Sequence, residues 1–182
     1  MSIPFYAKSE TNQGYIKNLE VVGFSDLNGI NAFQMALYKT GDKYYMYCGS
    51  FKGAGVNILE VTDPSRPQVV GCVWVSDPEV YFAQSTPKIQ VADDKLIVAL
   101  GGGVPFLHGI KAGDPADDGL QIYDLKEDPV HPRLLSHWHT GLPNGMGVHR
   151  FAYNGGKYVY MPAECPGFVG FIVRILDISD PC

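Results

Sequence analysis

Two closely spaced histidines are the residues in this sequence best suited to chemistry. His137 and His139 stand two residues apart in the segment SHWHT. Because side chains alternate along a β-strand, an H-x-H pair in a strand lies on one face. Two imidazoles on one face can bind a Zn, Cu or Fe ion. The spacing therefore predicts part of a metal site, with a structural pair flanking a packed Trp138 as the alternative.

His149 is the candidate third metal ligand. It comes at the start of a predicted strand, 148–153, and could join the H-x-H pair in a three-histidine site. The matching positions of two earlier predicted strands hold Gln34 and Lys88, which are polar where a core position would be apolar. We expect these side chains to converge on a ligand or ion site, with His149 as a catalytic group and the other two as substrate-binding groups. The alternative is that His149 hydrogen-bonds the backbone of a neighbouring sheet.

Further candidates lie on predicted loops. In the segment MPAECPG, Glu164 could act as a general base and Cys165 as a catalytic thiolate. The alternative is a Cys165 without a chemical role. His108 and Tyr81 stand in long predicted loops and are candidate substrate-binding residues, because function concentrates on loops carried by a rigid scaffold.

Two other segments resemble ligand-binding loops but lack the full pattern. VALGGGVPFLHG has consecutive glycines whose N–H groups could surround an anion, but it contains no G-K-[ST]. GDPADDG, residues 113–119, has three carboxylates without the D-x-[DN]-x-[DN]-G spacing of a calcium loop. We expect this second segment to form a turn.

Composition and charge restrict the class of protein. The chain has 182 residues, 46% of them hydrophobic and 18% charged, which is typical of one folded domain. A net charge of −5 with scattered Lys and Arg disfavours a nucleic-acid partner and an anionic membrane surface. Without an apolar run of membrane-spanning length or an evident secretory signal, we expect a cytoplasmic protein. The widely spaced cysteines are expected to be reduced thiols: Cys48, Cys72, Cys165 and Cys182.

The chain repeats one pattern three times. GVNILEVTDPSRPQVVG at 55–71 matches GLQIYDLKEDPVHPRLL at 119–135, and GFIVRILDISDP at 170–181 repeats its first part. The Asp-Pro pairs begin at residues 63, 128 and 180, a spacing that fits a unit of four strands with long loops. Each copy follows a predicted hairpin, whose turns hold Thr40-Gly41-Asp42, Asp93-Asp94 and Asn154-Gly155-Gly156.

Each unit is predicted to hold strands named A, B, C and D, and no helical periodicity of useful length is present. In unit one the strands are 33–39, 43–48, 55–61 and 67–75. In unit two they are 87–92, 95–100, 119–125 and 132–140. Unit three has only A, B and C, at 148–153, 157–162 and 170–178. The predicted fold class is therefore all-β.

The missing fourth strand of unit three has a counterpart at the other end of the sequence. LEVVGFSDL at 19–27 resembles PQVVGCVWV at 67–75, which is strand D of unit one. The order is then D-ABCD-ABCD-ABC, the permuted order of a β-propeller whose ring is latched by one strand. We expect residues 1–182 to form a single domain and partial propeller, with a latch strand at 19–27 and units at 33–75, 87–140 and 148–181.

The repeated run G-[VL]-x-I-x-[DE]-V-x-D-P-x-x-P, preceded by a short hairpin, resembles the LVIVD-repeat propellers. It is more distantly similar to the selenium-binding, methanethiol-oxidase-like propellers. The resemblance implies a ring of six or seven blades and metal-binding histidines. This chain holds about three blades, so we expect another chain to close the ring as an oligomer, either a second copy or a complementary chain.

The repeat also predicts which loops share a face. Adjacent strands are antiparallel, so the B–C and D–A loops open on one side, where the channel mouth of a propeller offers a pocket. We therefore expect an enzyme that acts on a small molecule at this mouth with a His-bound divalent transition metal, its reaction type left open. The alternative is a non-catalytic binding or scaffold module.

Overall fold

A computed structural model describes residues 20–111, 113–142 and 145–181 of the chain. They form an all-β structure of antiparallel sheets, none of which closes on itself. Among these described residues, the helical segments are a 3₁₀ turn at Leu27–Gly29 and a single helical turn, α1, at Pro105–His108. Within the described ranges no helix has the length and hydropathy needed to cross a membrane.

The first sheet is a meander of four strands in the order β1-β2-β3-β4. Their bounds are β1 (Met35–Thr40), β2 (Lys43–Gly49), β3 (Gly55–Glu60) and β4 (Gln68–Trp74). These strands match the A, B, C and D strands predicted for unit one. Gly41, at φ 55°, opens the two-residue β1–β2 turn, where a left-handed conformation is favourable for glycine.

The second sheet contains five strands. Their bounds are β5 (Gln84–Ser85), β6 (Ile89–Ala92), β7 (Lys95–Gly102), β8 (Gly119–Asp124) and β9 (Arg133–Trp138). The strand A predicted at 87–92 corresponds to β6, and β5 precedes it and pairs with a different part of β7. Pro87 lies between them and has no N–H to give to a ladder. The Thr86 hydroxyl there donates instead to the Gly55 carbonyl, at 3.0 Å.

The third unit is a terminal hairpin of β10 (Tyr158–Glu164) and β11 (Phe171–Asp177). The strand predicted at 148–153 contributes only one bridge, between Ala152 and Tyr160. A side chain from the second sheet also contacts this segment. The Gln90 amide nitrogen donates to the Phe151 carbonyl at 3.3 Å, and its oxygen accepts from the Tyr153 N–H. These backbone groups are therefore bonded to the second sheet.

The first two units share an irregularity as well as a strand order. The pairing of β3 with β4 shifts register between Ile58 and Leu59. The pairing of β8 with β9 shifts between Ile122 and Tyr123, which are the matching positions of the repeat. A bulge at the same place in both units indicates that the repeat extends to backbone geometry.

The three units pack face to face, and β7 shows the consequence most clearly. Leu96, Val98 and Leu100 belong to the core between the first and second sheets. Ile97 and Ala99 belong to the core between the second sheet and the terminal hairpin. All five side chains are fully buried, which accounts for the unbroken apolar run LIVAL.

The predicted latch strand lies partly outside the described residues. Leu19 precedes them, residues 20–26 are assigned to no strand, and the 3₁₀ turn follows at Leu27–Gly29. Pairing of this segment with another chain stays a prediction.

Candidate metal centre

The antiparallel pairing of β8 with β9 brings two chain segments together at one end of the second sheet. Leu120 pairs with Trp138, so residues just before β8 lie beside residues just after β9. Gly119, at φ 98°, makes the crossing possible. A Cβ at this position would lie 1.8 Å from the Trp138 carbonyl oxygen, so only glycine fits the approach. Asp117 and Asp118 are thereby held against the histidines that end β9.

His137, His139 and Asp117 form a group that could hold a metal ion. Asp117 Oδ1 is 3.7 Å from His137 Nε2 and 3.6 Å from His139 Nδ1. The two imidazole ring centres are 3.8 Å apart. Ligands about 2.1 Å from a tetrahedral zinc ion are about 3.4 Å from one another, so only small movements would close this group on an ion.

Asp118 is bonded to both imidazoles, to His139 through its side chain and to His137 through its backbone carbonyl. Its Oδ1 is 3.0 Å from His139 Nδ1, and its carbonyl oxygen is 3.0 Å from His137 Nε2. Its other carboxylate oxygen accepts from the Thr140 N–H at 3.1 Å and from the Thr140 hydroxyl. Carboxylates placed in this way fix the orientation of imidazole ligands. His139 Nδ1 can therefore be held by a carboxylate hydrogen bond or, once its proton is lost, by an ion.

Two buried glutamines support the group. The Gln121 amide nitrogen donates to the Val75 carbonyl at 2.8 Å and lies 3.3 Å from His137 Nδ1. An amide nitrogen is only a donor, so His137 Nδ1 accepts and the ring proton sits on Nε2, directed at the Asp118 carbonyl. A metal ion at Nε2 must replace that proton. The Gln84 amide oxygen accepts from the Asp117 N–H at 2.7 Å and fixes the third candidate ligand.

A cleft of about 480 Å³ adjoins the group. Three loops form its wall: the one after β4, which supplies Tyr81, the one between β7 and β8, and the one after β9, which supplies Leu142 and Met146. Asp117 and Asp118 also line it. The volume is in the range of small-molecule sites. Of the four predicted substrate-binding residues, Tyr81 alone is in the wall of this cleft.

His149 lies outside the metal group. Among the described residues Asp117 takes the third place that the sequence assigned to His149. Burial lowers the pKa of His149, and the charges of Arg150 and Lys88 lower it further. Burial and the charge of Arg150 also lower the pKa of Lys88, whose ammonium lies 4.4 Å from the centre of the Phe33 ring. The positive charges of Arg150 and Lys88 therefore disfavour a cation at His149.

Gln34 and His108 do not reach the cleft. Gln34 acts through its backbone, with its carbonyl accepting from the Gly49 N–H at 2.9 Å. His108 ends α1 and is 7% exposed. Its Nδ1 accepts from the Val104 N–H at 2.9 Å, whereas its Nε2 has no partner among the described residues. Burial, and then the charge of Lys52, lowers the pKa of His108.

Glu164 does not line the cleft but holds the backbone of a residue that does. Its Oε2 accepts from the N–H of Met146 at 2.9 Å, and Met146 lines the cleft. Cys165 follows it and is half-buried. Cys165, Cys48 and Cys72 are free thiols, and Cys182 lies outside the described residues. Burial raises the pKa of the Cys48 thiol to about 11, which suits an inert core cysteine.

The sequence did not identify Asp117, Asp118 or Thr140 as site residues. The segment GDPADDG was interpreted as a turn because it lacks a calcium-loop spacing. One signal could have revealed it: strands C and D are adjacent and antiparallel, so the residues before strand C lie beside the end of strand D. The end of strand D is the H-x-H segment.

No protein-family model matches the chain, and neither a curated protein nor a solved structure gives a significant match. The resemblance to LVIVD-repeat propellers therefore stays an expectation from the sequence. The geometry of the site carries the functional argument alone.

Proposed function

We propose that this chain is a segment of a β-propeller whose loop-bearing side holds a metal-dependent small-molecule site. Asp117, His137 and His139 bind one divalent transition metal ion, and the adjoining cleft takes the substrate. The observation that carries the proposal is the spacing of 3.6 and 3.7 Å between one Asp117 oxygen and the two imidazoles, at the wall of a 480 Å³ cleft.

The donor set favours a transition metal over calcium or magnesium. Two imidazoles and one carboxylate suit Zn, Fe or Cu, whereas calcium and magnesium take oxygen ligands. Three protein ligands leave a coordination position for water or substrate, which is the arrangement of a catalytic ion. Such an ion supplies a Lewis acid or an activated water at the cleft.

The surrounding residues orient the metal ligands and contact the substrate. Asp118 orients His139, and the amide of Gln121 orients His137. Gln84 is 1% exposed and holds the Asp117 backbone, so the ligands rest on buried supports. Tyr81 offers a phenol to a polar group of the substrate from the cleft wall.

The test is a zinc titration of the protein by calorimetry, with metal content measured on the same sample. We expect one zinc per chain, and at least about 100-fold weaker binding in His139→Ala and Asp117→Ala. Cobalt substitution of the wild-type protein should give the visible absorption of a four-coordinate site.

Two histidines outside the group serve as matched controls. His131→Ala removes an exposed histidine paired with Asp128, and His149→Ala removes the ligand predicted from sequence. Both variants should bind zinc as the wild type does. Wild-type affinity in His139→Ala, or a loss confined to His149→Ala, would contradict the proposed ligand set.

A non-catalytic binding or scaffold module is the second candidate function. An apolar groove of about 470 Å³ on the outer face of the first sheet favours it, with Leu37, Met46 and Val61 in its wall. This candidate predicts that the protein takes up no zinc and that an apolar fluorescent probe binds the groove. Leu37→Asp should then abolish probe binding, whereas Asp117→Ala should not.

A further inference from the structure

The outward face of the terminal hairpin is apolar and uncovered. Val173 is 74% exposed, Ile175 56% and Tyr160 47%. Along β11 these exposed positions alternate with half-buried ones that face the second sheet. A contiguous apolar sheet face of this kind marks a contact surface.

The repeat shows what covers this face in the other units. Ile175 matches Ile58 in unit one and Ile122 in unit two. Ile58 is fully buried against the second sheet, and Ile122 is 4% exposed against the terminal hairpin. The chain therefore buries the same position twice, each time under the next unit. The terminal hairpin is the only described unit whose matching face has no next unit.

The outer edge of β11 also differs from its counterparts. Both β3 and β8 are paired on each side, β3 with β2 and β4, and β8 with β7 and β9. In the described ranges β11 pairs with β10 only. The edge that lacks a neighbour is the one where the other units carry strand D. Such an edge can accept an added strand.

Residues 20–26 lie where strand D of a preceding unit would lie. Gly23 in EVVG corresponds to Gly71 in QVVG. A Cβ on Gly71 would lie 3.2 Å from the Val130 carbonyl oxygen, at the Asp-Pro corner of unit two. A Cβ on Gly23 would lie 2.2 Å from the Pro64 carbonyl oxygen, at the Asp-Pro corner of unit one. The segment thus contacts unit one as β4 contacts unit two, although it belongs to no strand.

A buried amide points to the same missing neighbour. Gln121 donates to the Val75 carbonyl at 2.8 Å, and Arg174 at the matching position donates to the Thr140 carbonyl at 2.9 Å. Val75 and Thr140 correspond to each other, just beyond the end of strand D. Asn57 holds this position in unit one, is 3% exposed, and its Nδ2 has no partner among the described residues. Its expected acceptor is a carbonyl at the end of a preceding strand D.

We propose that residues 20–26 of one copy pair antiparallel with β11 of a second copy and supply the strand D that the terminal hairpin lacks. The pairing of β3 with β4 sets Ile58 opposite Gly71. The same register sets Ile175 of one copy opposite Gly23 of the other, and Val173 opposite Ser25. Main-chain hydrogen bonds then provide affinity, and the alternating side chains provide register.

The positions of the two elements place the proposed pairing between two copies and not within one chain. Leu27, which directly follows the segment, packs with Cys48 and Leu59 on the outer face of the first sheet. The terminal hairpin packs on the opposite face of the second sheet. The second sheet therefore separates the segment from its own β11. The resulting contact is head-to-tail, so it closes into a ring when the rotation permits.

Native mass spectrometry with two lysine variants tests the assembly. We expect a particle of two 19.9 kDa chains. Val173→Lys places a charge in the proposed contact and should weaken association about 100-fold. Val169→Lys is the matched control, because Val169 is fully exposed in the β10–β11 loop. Zinc uptake should be equal in both variants, so a failure of assembly is distinguishable from a failure of the metal site.

Cysteine crosslinking tests the register and the partner. A tagged Ser25→Cys chain is co-expressed with an untagged Val173→Cys chain, and the products are separated without reductant. We expect a disulfide-linked pair of one tagged and one untagged chain, and no such pair when Val169→Cys replaces Val173→Cys. A monomer at every concentration up to about 100 µM, a complex with a different protein, or equal crosslinking of both pairs would each overturn the proposal.

Discussion

The aspartates of the Asp-Pro corners and the aspartate beside the metal group, at opposite ends of the sheets, have different kinds of hydrogen-bond partner. The turn end holds the β1–β2 and β6–β7 turns and the Asp-Pro corners; the loop end holds the long loops and the metal group. At the turn end, Asp63 Oδ1 accepts from the Ser65 N–H at 3.0 Å, and Asp128 Oδ1 from the Val130 N–H at 2.8 Å. These carboxylates are bonded to groups two residues away. At the loop end, Asp118 is bonded to His139, 21 residues away in the chain.

The difference separates structural from functional carboxylates. A carboxylate that is satisfied by the next turn of backbone stabilises the corner and has little capacity left for a ligand. The Asp118 carboxylate is instead bonded to an imidazole and a threonine that follow another strand, so it orients a candidate ligand. The repeat supports this distinction: the corner aspartate recurs in all three units, whereas Asp117-Asp118 occurs before only one C strand.

The largest expected loss of stability is at Gly119, and Gly156, a glycine with positive φ at the turn end, gives the comparison. Gly119→Ala should lower the free energy of unfolding by about 3 kcal/mol or more, because its Cβ would meet the Trp138 carbonyl at 1.8 Å. It should also abolish zinc binding. Gly156→Ala at the turn end, with φ 83° and nothing within 4 Å of a Cβ, should cost only about 1 kcal/mol.

Urea unfolding and zinc titration of both glycine variants give the comparison. Equal losses of stability would mean that the close approach at Gly119 does not hold the metal group together.

The next effect concerns the supporting carboxylates. Asp118→Asn should weaken zinc binding about 10- to 100-fold, because an amide has one acceptor oxygen and cannot accept from both the His139 imidazole and the Thr140 groups. Asp128→Asn, the same change at the turn end, should leave zinc affinity unchanged. Calorimetric titration measures both, and circular dichroism checks that each variant folds. A larger loss in Asp128→Asn would contradict the separation of the two ends.

The pH dependence of stability should differ between the ends. His108, at the loop end, has a pKa below its ordinary value of 6.5, so the unfolded chain takes up a proton first as the pH falls. Stability should therefore decrease as the pH falls below about 6.5. The pKa values of Asp63 and Asp128 are lowered by their local hydrogen bonds. Their stabilisation is present above their ordinary value of 3.8 and is lost as the pH falls further through the folded pKa.

Urea midpoints measured from about pH 7.5 to about pH 5.5 test the first window. His108→Gln should show a smaller decrease than the wild type, and adding His149→Gln should reduce it again, because the pKa of His149 is also lowered. An unchanged decrease in the double variant would show that other groups control stability in this range.

Local sequence patterns predicted most of the strands, whereas contacts between residues distant in sequence determine the 148–153 segment and the metal group. Alternating apolar residues and turn glycines are properties of a few neighbouring residues, so the β1–β4 meander could be predicted. At 148–153 the local pattern predicted a strand, whereas the structure has a single bridge there, and the side chain bonded to this segment, Gln90, belongs to another unit. Asp117 lies with the histidines because of the β8–β9 pairing, which no local pattern indicates, and His149 is outside the group.

The smallest expected loss of stability comes from removing a hydrogen bond between two units at the turn end. The Tyr38 hydroxyl donates to Asp94 Oδ1 at 2.9 Å. Burial, followed by the hydrogen bond and charge of Asp94, raises the pKa of Tyr38 to about 12. The folded protein thus keeps this proton above pH 10, where the unfolded chain loses it, so stability falls as the pH rises through that range. Tyr38→Phe should lower the free energy of unfolding by about 1 kcal/mol near neutral pH and reduce the alkaline decrease.

Zinc affinity should not change in Tyr38→Phe, because Tyr38 acts at the end of the sheets away from the metal group. Urea unfolding near pH 7 and pH 11, with a zinc titration at neutral pH, measures both properties. Asp94 is exposed and can be hydrated when it loses the hydroxyl, which keeps the expected loss of stability small. If the variant weakened zinc binding by the same factor as Asp118→Asn, the two ends would be coupled through the packed strands. The turn end would then contribute to metal binding as well as to the stability of the fold.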